Sequence, residues 1–424
     1  MVMGIWRTDS QGINGEPVGI INDFVDKINY LAACVDRGIF SLYNSSRFQQ
    51  KGKYKMKVLL VGANGYGVHF LETLFDMHKK GQITFEGVVT RSDFPMQEEL
   101  KTAGISAYKT LDAFYTEHTA DLALISTPAF LHKEQSIYCV EHGSNVLCEK
   151  PAAPTVEEVE AMLSTEEKTG KFIAIGYQRC FSNAILALKK DILDGVFGKA
   201  LSMKFFMSAP RKYVYYARGG GYAGQVRTKD GRVILDSPAS NACAHFMQEM
   251  LFILGGEMDT TGEAKLERGE CMRAYDISNF DTCTLMMTVN GNVPVYFAAS
   301  HAAETKTAHM VRYEFENGYV TIENDMLKAT FNDGTVKIYG DPTLDQYANK
   351  IRHCLDAIKN GTTPVCTVKT AFTHVNVINE IYHTIPVTAF EENEKVYEEE
   401  RIYVPGLKER LEVAFDKTCM LSEV

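Results

Sequence analysis

The stretch V-L-L-V-G-A-N-G-Y-G-V-H-F, from Val58 to Phe70, decides the fold of this chain. An apolar run leads into a loop with three glycines, and residues at helical spacing follow. In such a strand–loop–helix unit, backbone N–H groups at the helix start can hold the phosphates of a dinucleotide. Gly62 can supply the tight turn and Gly67 the close packing of helix on strand, while Asn64 stands where the middle glycine usually lies. We therefore predict a dinucleotide site that contains Gly62, Asn64, Gly65, Tyr66 and Gly67.

The sequence around this loop alternates apolar strands with amphipathic segments up to about residue 175. Such alternation indicates parallel βαβ units. After Gly176 the apolar residues recur at period two, and hairpin turns are predicted at Asn290-Gly291 and at 332–334. We expect an α/β Rossmann domain followed by an α+β domain with a large, mostly antiparallel open sheet. The expected boundaries are 1–54 for an N-terminal extension of uncertain order, 55–176 for the Rossmann domain, and 177–424 for a C-terminal α/β domain.

The composition excludes several classes of protein. A net charge of -10 over 424 residues argues against nucleic acid as a partner. The chain has no apolar run of about 18 residues, so we expect no membrane span. Its ten cysteines form no C-x-x-C pair, and no second ligand pair accompanies Cys243 and His245. We therefore expect reduced thiols, a cytoplasmic protein and no metal site.

The end of the second predicted strand bears on which dinucleotide binds. NAD sites usually place an Asp or Glu there to bond the ribose hydroxyls. This chain has Thr90, Arg91 and Ser92, and a guanidinium with two hydroxyls suits a 2′-phosphate. We favour NADP over NAD. Because Asp93 follows one residue later, NAD stays open, and so does a solvated loop without a cofactor role.

A charged pair lies at the end of a buried strand, in C-E-K-P from Cys148 to Pro151. Ligands of open α/β sheets bind at the carboxyl ends of the strands. Lys150 at that edge would lie near the nicotinamide and could stabilise a developing alkoxide. The alternative is a surface ion pair between Lys150 and Glu149.

Four motifs together resemble one known family. The glycine loop, S-T-P-A-F-L-H at 126–132, H-G-S-N-V-L-C-E-K-P and G-Y-Q-R at 176–179 recur in this order in the Gfo/Idh/MocA oxidoreductases. The chain resembles that family from residue 56 to about 400. The resemblance implies hydride transfer between a nicotinamide cofactor and a secondary hydroxyl of a sugar, sugar derivative or cyclitol. It implies a homodimer or homotetramer that forms through the C-terminal sheet. It also implies cofactor contacts from Ser126, Thr127, Pro128, His132, Glu149, Lys150 and Gln178.

The resemblance also implies an acid/base group. The family carries D-x-x-x-H before a helix that ends in L-G, and N-A-C-A-H at 241–245 matches this pattern. His245 then takes the acid/base position, and Asn241 replaces the aspartate. A helix predicted from about Ala239 to Leu254 would put both on one face. Lys150 and His245 form the predicted catalytic pair, supported by Asn241; by itself, His245 could be a core histidine.

The segment from Arg211 to Arg227 is rich in tyrosine, glycine and arginine. Aromatic faces and cationic donors suit a polyol, and the alternative is a flexible surface loop. Combined with the resemblance, this segment predicts a set of substrate-binding residues. These are Lys150, Tyr177, Arg179, Tyr216, Arg218, Asp236, Asn241 and His245.

Two other functions remain open at this point. Some members of the family are NAD-dependent glycosidases that use a redox and elimination mechanism, and the tyrosine-rich segment fits a glycoside. A cofactor-binding sensor without catalysis is the second, since one relative of this fold is a repressor. The exchange of Asp for Asn241 keeps both alternatives.

Overall fold

The strand predicted after Met56 is β1 (Lys57–Val61), and it lies near the centre of a parallel sheet of six strands. The computed structural model describes residues 55–424, so the extension expected at 1–54 lies outside the described residues. Apart from the first residue of β1, the side chains of β1 are buried. The spatial order is β3-β2-β1-β4-β5-β6, with β2 (Thr84–Val89), β3 (Ser106–Tyr108), β4 (Leu122–Ile125), β5 (Asn145–Cys148) and β6 (Ile173–Ile175).

Helices connect these strands, as the βαβ pattern predicts. The strand order reverses between β1 and β4, and ligands of doubly wound sheets bind at such a reversal. The strand β3 was not predicted, because it has only three residues, lies at the sheet edge and carries two exposed side chains. The helices are α1 (Gly67–Lys79), α2 (Gln97–Thr102), α3 (Leu111–Glu117), α4 (His132–Glu141) and α5 (Val156–Thr169).

A second sheet has nine strands and is mostly antiparallel, which confirms the predicted fold class. Only the pairs β7–β10 and β8–β15 are parallel. The predicted hairpin turn at Asn290-Gly291 joins β9 to β10, and both residues have positive φ. The order is β14-β13-β12-β11-β7-β10-β9-β8-β15, with β7 (Ala200–Ser208), β8 (Ala264–Arg273), β9 (Thr282–Val289), β10 (Val293–Ser300), β11 (Met310–Phe315), β12 (Gly318–Glu323), β13 (Met326–Phe331), β14 (Val336–Gly340) and β15 (Val387–Ala389). A separate hairpin pairs β16 (Val396–Tyr397) with β17 (Ile402–Tyr403).

One predicted helix starts later than the spacing suggested. The helix α8 begins at Ala244, so Asn241 lies in the turn before it and does not share a helix face with His245. The hydroxyls of Ser237 and Ser240 accept hydrogen bonds from each other's backbone N–H groups, and such local bonds compete with helix formation. The helices of this part are α6 (Asn183–Leu193), α7 (Tyr213–Ala217), α8 (Ala244–Ile253), α9 (Gln346–Asn360), α10 (Val368–Thr384) and α11 (Leu407–Lys417).

The last helix, α11, packs on β7 and β10. Leu411 and Phe415 join an apolar cluster with Phe206 and Tyr296, so α11 covers part of one face of the nine-stranded sheet. None of the helices within residues 55–424 has both the length and the apolar character that a bilayer crossing requires.

Candidate active site

A cavity of about 780 Å³ extends from the glycine loop to the start of α8. Its walls combine the carboxyl ends of the parallel strands with the segment before α8, so it lies where the strand reversal predicts a ligand. Sixteen of the predicted site residues line it. They are Gly62, Asn64, Gly65, Tyr66, Thr90, Ser92, Ser126, Thr127, Pro128, Glu149, Lys150, Gln178, Arg218, Asp236, Asn241 and His245.

Two positions of the glycine loop, Gly62 and Gly67, leave no space for a side chain. Gly62 has φ +88°, and a Cβ there would lie 2.5 Å from the carbonyl oxygen of Ser126. A Cβ on Gly67 would lie 2.2 Å from the carbonyl oxygen of Gly62. Asn64 donates from Nδ2 to the hydroxyl of Ser92 at 3.1 Å and so ties the loop to the segment after β2. The first turn of α1 carries no acidic residue, so the loop fits the phosphates of a dinucleotide.

We predict that Gly62→Ala destabilises the fold by about 2–4 kcal/mol, because the methyl group meets backbone and the left-handed φ strains alanine. Urea unfolding followed by circular dichroism would measure this loss. Gly256→Ala is the matched control, since a Cβ there meets no atom within 4 Å and its φ is not positive. Equal stability of the two variants would contradict the prediction.

A second cavity of about 520 Å³ lies on the other side of Thr90. It shares Gly62, Thr90, Thr127 and Pro128 with the first cavity. Arg91 and Lys109 bring two cationic side chains to its wall, and Glu134 contributes a carboxylate. Asp93 lines neither cavity. The carboxylate that kept NAD open at this position is therefore absent from both walls.

The ammonium group of Lys150 is held by Asn241. Its Nζ donates to the Asn241 carbonyl oxygen at 2.8 Å and to the Asn241 Oδ1 at 2.7 Å. Burial lowers the pKa of Lys150 to about 8, although Glu149 and Asp236 favour its charged form. The structure therefore supplies a hydrogen-bonded ammonium on the cavity wall whose proton is held less tightly than usual.

Glu149 pairs with a different lysine from the one that the sequence suggested. Its Oε1 accepts from Nζ of Lys350, and both side chains are buried. The Lys350 ammonium also lies 3.4 Å from the hydroxyl of Tyr66 in the glycine loop. The surface ion pair considered for Lys150 and Glu149 therefore does not form. Lys150 instead lines the cavity.

Asp236 supports Asn241 from behind. Asn241 donates from Nδ2 to the Asp236 Oδ1 at 2.7 Å, and the backbone N–H of Gly224 donates to Oδ2 at 2.7 Å. Burial raises the pKa of Asp236 above its ordinary value. These bonds determine which way the Asn241 amide faces, with its oxygen toward Lys150.

His245 also lines this cavity. Its Nδ1 is buried and has no hydrogen-bond partner, and the ring edge contacts Tyr177 at 6.0 Å between centroids. Burial, with Lys150 nearby, holds the pKa of His245 well below its ordinary value. The imidazole is therefore neutral near pH 7 and can accept a proton.

Two predicted residues, His132 and Tyr177, do not line the cavity but lie in the core next to residues that do. His132 is buried, and its ring nitrogens lie 2.7 Å from the Pro151 carbonyl and 2.8 Å from the Thr127 carbonyl. These contacts connect the segment after β4 with the E-K-P strand end. The hydroxyl of Tyr177 lies 2.8 Å from Nδ1 of His374, so that this hydroxyl is used within the core. Gly67 does not line the cavity either.

Arg179 and Tyr216, which were predicted to touch substrate, do not line the cavity. The guanidinium of Arg179 is buried in an ion pair with Glu249. Tyr216 packs against Tyr275 with ring centroids 4.5 Å apart. Arg179 is thus used in a buried ion pair and Tyr216 in ring packing. The sequence pattern does not distinguish such internal contacts from contacts with a ligand.

Four residues with polar or charged side chains that line or support the cavity were not predicted as site residues. Arg211 and Tyr222 lie in the tyrosine-rich segment, which was the signal for them. Ser240 lies beside Asn241 on the wall. Lys350 comes from α9, 201 residues from Glu149, and no local pattern marks it.

Comparison with known proteins matches the Rossmann part of the chain to one family. Residues 56–177 match the model of an oxidoreductase family with an NAD-binding Rossmann fold, Gfo/Idh/MocA. The match covers the Rossmann part of the chain and confirms there the resemblance seen in the motifs.

Two relatives resemble part of the chain in sequence, and a solved structure shares its fold. A 2,7-anhydro-N-acetylneuraminate hydratase of Mediterraneibacter gnavus is 31% identical over 165 residues, which are 36% of this chain and 41% of that protein. The scyllo-inositol 2-dehydrogenase (NADP(+)) IolW of Bacillus subtilis is 28% identical over 34% of this chain and 40% of that protein. The chain thus aligns with about two fifths of the length of these relatives. An oxidoreductase of Agrobacterium radiobacter, solved with NAD+, L-tartaric acid and magnesium, shares the fold with a TM-score of 0.64 and 16% identity, over 78% of this chain and 96% of that one.

Proposed function

We propose that the protein is a nicotinamide-dependent oxidoreductase that acts on a secondary hydroxyl of a sugar, a sugar derivative or a cyclitol. The observation that carries the proposal is one cavity whose wall includes the glycine loop, Lys150 and His245. A dehydrogenase of scyllo-inositol among the relatives supports a cyclitol or sugar as substrate.

Three residues of the chain have distinct roles at the substrate hydroxyl: His245, Lys150 and Asn241. When bound, the nicotinamide supplies the hydride acceptor or donor. His245 accepts the carbinol proton during oxidation and returns it during reduction. Lys150 stabilises the negative charge that develops on the oxygen. Asn241, oriented by Asp236, keeps the Lys150 ammonium in place but cannot act as a base.

The first test is whether the purified protein carries or binds a nicotinamide dinucleotide. The ultraviolet spectrum of the protein and of its denatured supernatant would show a bound cofactor. Titration with NADPH and NADH, followed by nicotinamide fluorescence, would measure exchange. Binding followed by turnover of a sugar or cyclitol supports the proposal, and failure to bind either form would refute it.

We propose NADP as the preferred cofactor, because Arg91 and Lys109 line the second cavity and Asp93 does not. We predict that Arg91→Ala weakens NADPH binding by about tenfold, since a charge-assisted bond to a 2′-phosphate is lost. NADH, which lacks that phosphate, is the matched control ligand, and its affinity should change by less than about twofold. Fluorescence titration measures both, and equal weakening of the two would contradict the preference.

A second candidate is a reaction without net oxidation. The hydratase among the relatives motivates it, because adding or removing water leaves the cofactor unchanged overall. A glycosidase that works by redox and elimination belongs to the same class. A bound dinucleotide that does not exchange, with product formed from a glycoside or anhydro sugar, would favour this candidate. Dinucleotide binding without turnover of any sugar would favour a sensor.

We also propose that the two parts of the chain have different functions. Residues 55–176 bind the cofactor, and 177–424 bind substrate and form a homodimer or homotetramer through the nine-stranded sheet, in the cytoplasm. The helix α11 covers part of that sheet, so contact between copies would use the uncovered part. Light scattering after gel filtration would measure the mass, and a monomer would refute the oligomer.

A further inference from the structure

Two arginines line the cavity near Lys150. Arg211 and Arg218 both form part of the wall. The charge of Arg218 is close enough to lower the pKa values of Lys150 and Asp236. Among residues 55–424, neither guanidinium has a carboxylate within 4 Å, and Nε of Arg211 is buried without an acceptor. Buried donors are normally satisfied, so the unpaired Nε of Arg211 points to a ligand, whereas Arg218 is an exposed side chain on the same wall.

Tyr215 holds both guanidinium groups in place. The Cζ atom of Arg218 lies 3.9 Å from the centroid of the Tyr215 ring, and that of Arg211 lies 4.6 Å from it. The Tyr215 ring itself contacts Tyr216 and His301 edge-on. Stacking on a packed ring orders an arginine before a ligand arrives, so less side-chain freedom is lost on binding.

The charges at this end of the cavity do not balance. Lys150, Arg211 and Arg218 are cationic, and Asp236 is the acidic side chain near them on the wall. The carboxylate of Asp236 already accepts from Gly224 and Asn241. Glu149, also on the wall, is paired with Lys350. Positive charge is therefore in excess here, in a chain whose net charge is -10.

We propose that Arg211 and Arg218 form an anion subsite for a sugar or cyclitol derivative that carries an oxyanion, a carboxylate or a phosphate. The inference rests on the proposed function and narrows its substrate class. Hydroxyls of a neutral polyol need single donors and acceptors, whereas two planar guanidinium forks match an oxyanion. The cavity of about 780 Å³ must also take part of the cofactor.

The test compares matched anionic and neutral compounds on cofactor-loaded protein. The pairs are D-glucuronate and D-glucose 6-phosphate against D-glucose, and D-gluconate against sorbitol. Binding is followed by the fluorescence of bound NADPH, and turnover by absorbance. We expect the anionic member to bind at least about tenfold more tightly than its neutral partner, as for a charge-assisted hydrogen-bond pair. Preference for glucuronate and gluconate assigns a carboxylate, and preference for glucose 6-phosphate assigns a phosphate.

The double variant Arg211→Gln, Arg218→Gln should bind the anionic member about 10- to 100-fold more weakly and the neutral member within about threefold of the native protein. Arg232→Gln is the control, because that arginine is already paired with Asp230 and does not line the cavity. Neutral compounds that bind as well as anionic ones, an anion preference that survives in the double variant, or no response of the native protein to any anion would each overturn the subsite. Failure of the dinucleotide to bind would instead refute the proposed function, so the two failures are distinguishable.

Discussion

Replacing Lys150 with methionine is expected to lower kcat/KM for the sugar or cyclitol by about a thousandfold. Removing one preorganised donor from a developing oxyanion costs on the order of 10²–10³ in rate. Here the change also removes two hydrogen bonds that hold Asn241, so we expect the upper end of that range. Methionine keeps most of the length of the side chain, and cofactor affinity should stay within about threefold.

Steady-state kinetics and NADPH titration together measure this prediction. Lys133→Met is the matched control, because Lys133 is a partly exposed lysine whose ammonium pairs with Glu158 at 3.6 Å. A Lys150→Met enzyme that retains more than about a tenth of its kcat/KM would contradict the role of the ammonium.

The pH dependence of oxidation provides a second test of Lys150. Its pKa is lowered to about 8 by burial, so the charged form is present below that pH and is lost as the pH rises through it. Since the charged form stabilises the alkoxide, kcat/KM for oxidation should fall as the pH rises through about 8. This alkaline limb should be absent from the Lys150→Met variant.

Replacing His245 with asparagine is expected to lower kcat by on the order of 10²–10⁴, which is the usual contribution of a positioned general base. His245 lines the cavity and its Nδ1 atom is buried without a partner, so the substitution removes the proton acceptor without breaking a hydrogen bond at Nδ1. The fold and the glycine loop should be intact, and NADPH binding should persist.

Single-turnover measurements with saturating cofactor would isolate this effect from product release. His142→Asn is the control, because His142 is exposed at the end of α4 and stacks on Tyr138. The pKa of His245 lies well below its ordinary value, so oxidation should not decline as the pH falls through about 6.5. Wild-type activity in His245→Asn, with cofactor bound, would favour the sensor instead.

Local patterns were enough to predict most elements around the glycine loop. The apolar runs of β1, β2, β4, β5 and β6 are each long enough, or buried enough, to be recognised without their neighbours. The edge strand β3 has neither property. The start of α8 was predicted too early, because serine hydroxyls before it bond to the backbone and form a turn instead.

The sequence by itself determined the features that depend on one short segment. Gly62 and Gly67 are needed where backbone approaches backbone, and the strand–helix alternation follows from where apolar side chains must be buried.

Only the tertiary structure decided which side chains pair. Lys150 bonds to Asn241, 91 residues away, Glu149 pairs with Lys350, 201 residues away, and Arg211 and Arg218 meet on Tyr215 beside the same cavity. A side chain's partner depends on which surfaces the two sheets and their helices bring together. Contacts between distant segments leave no periodicity in the sequence, so Lys150, Glu149 and Asn241 could be predicted as site residues, but their partners and the role of Lys350 could not.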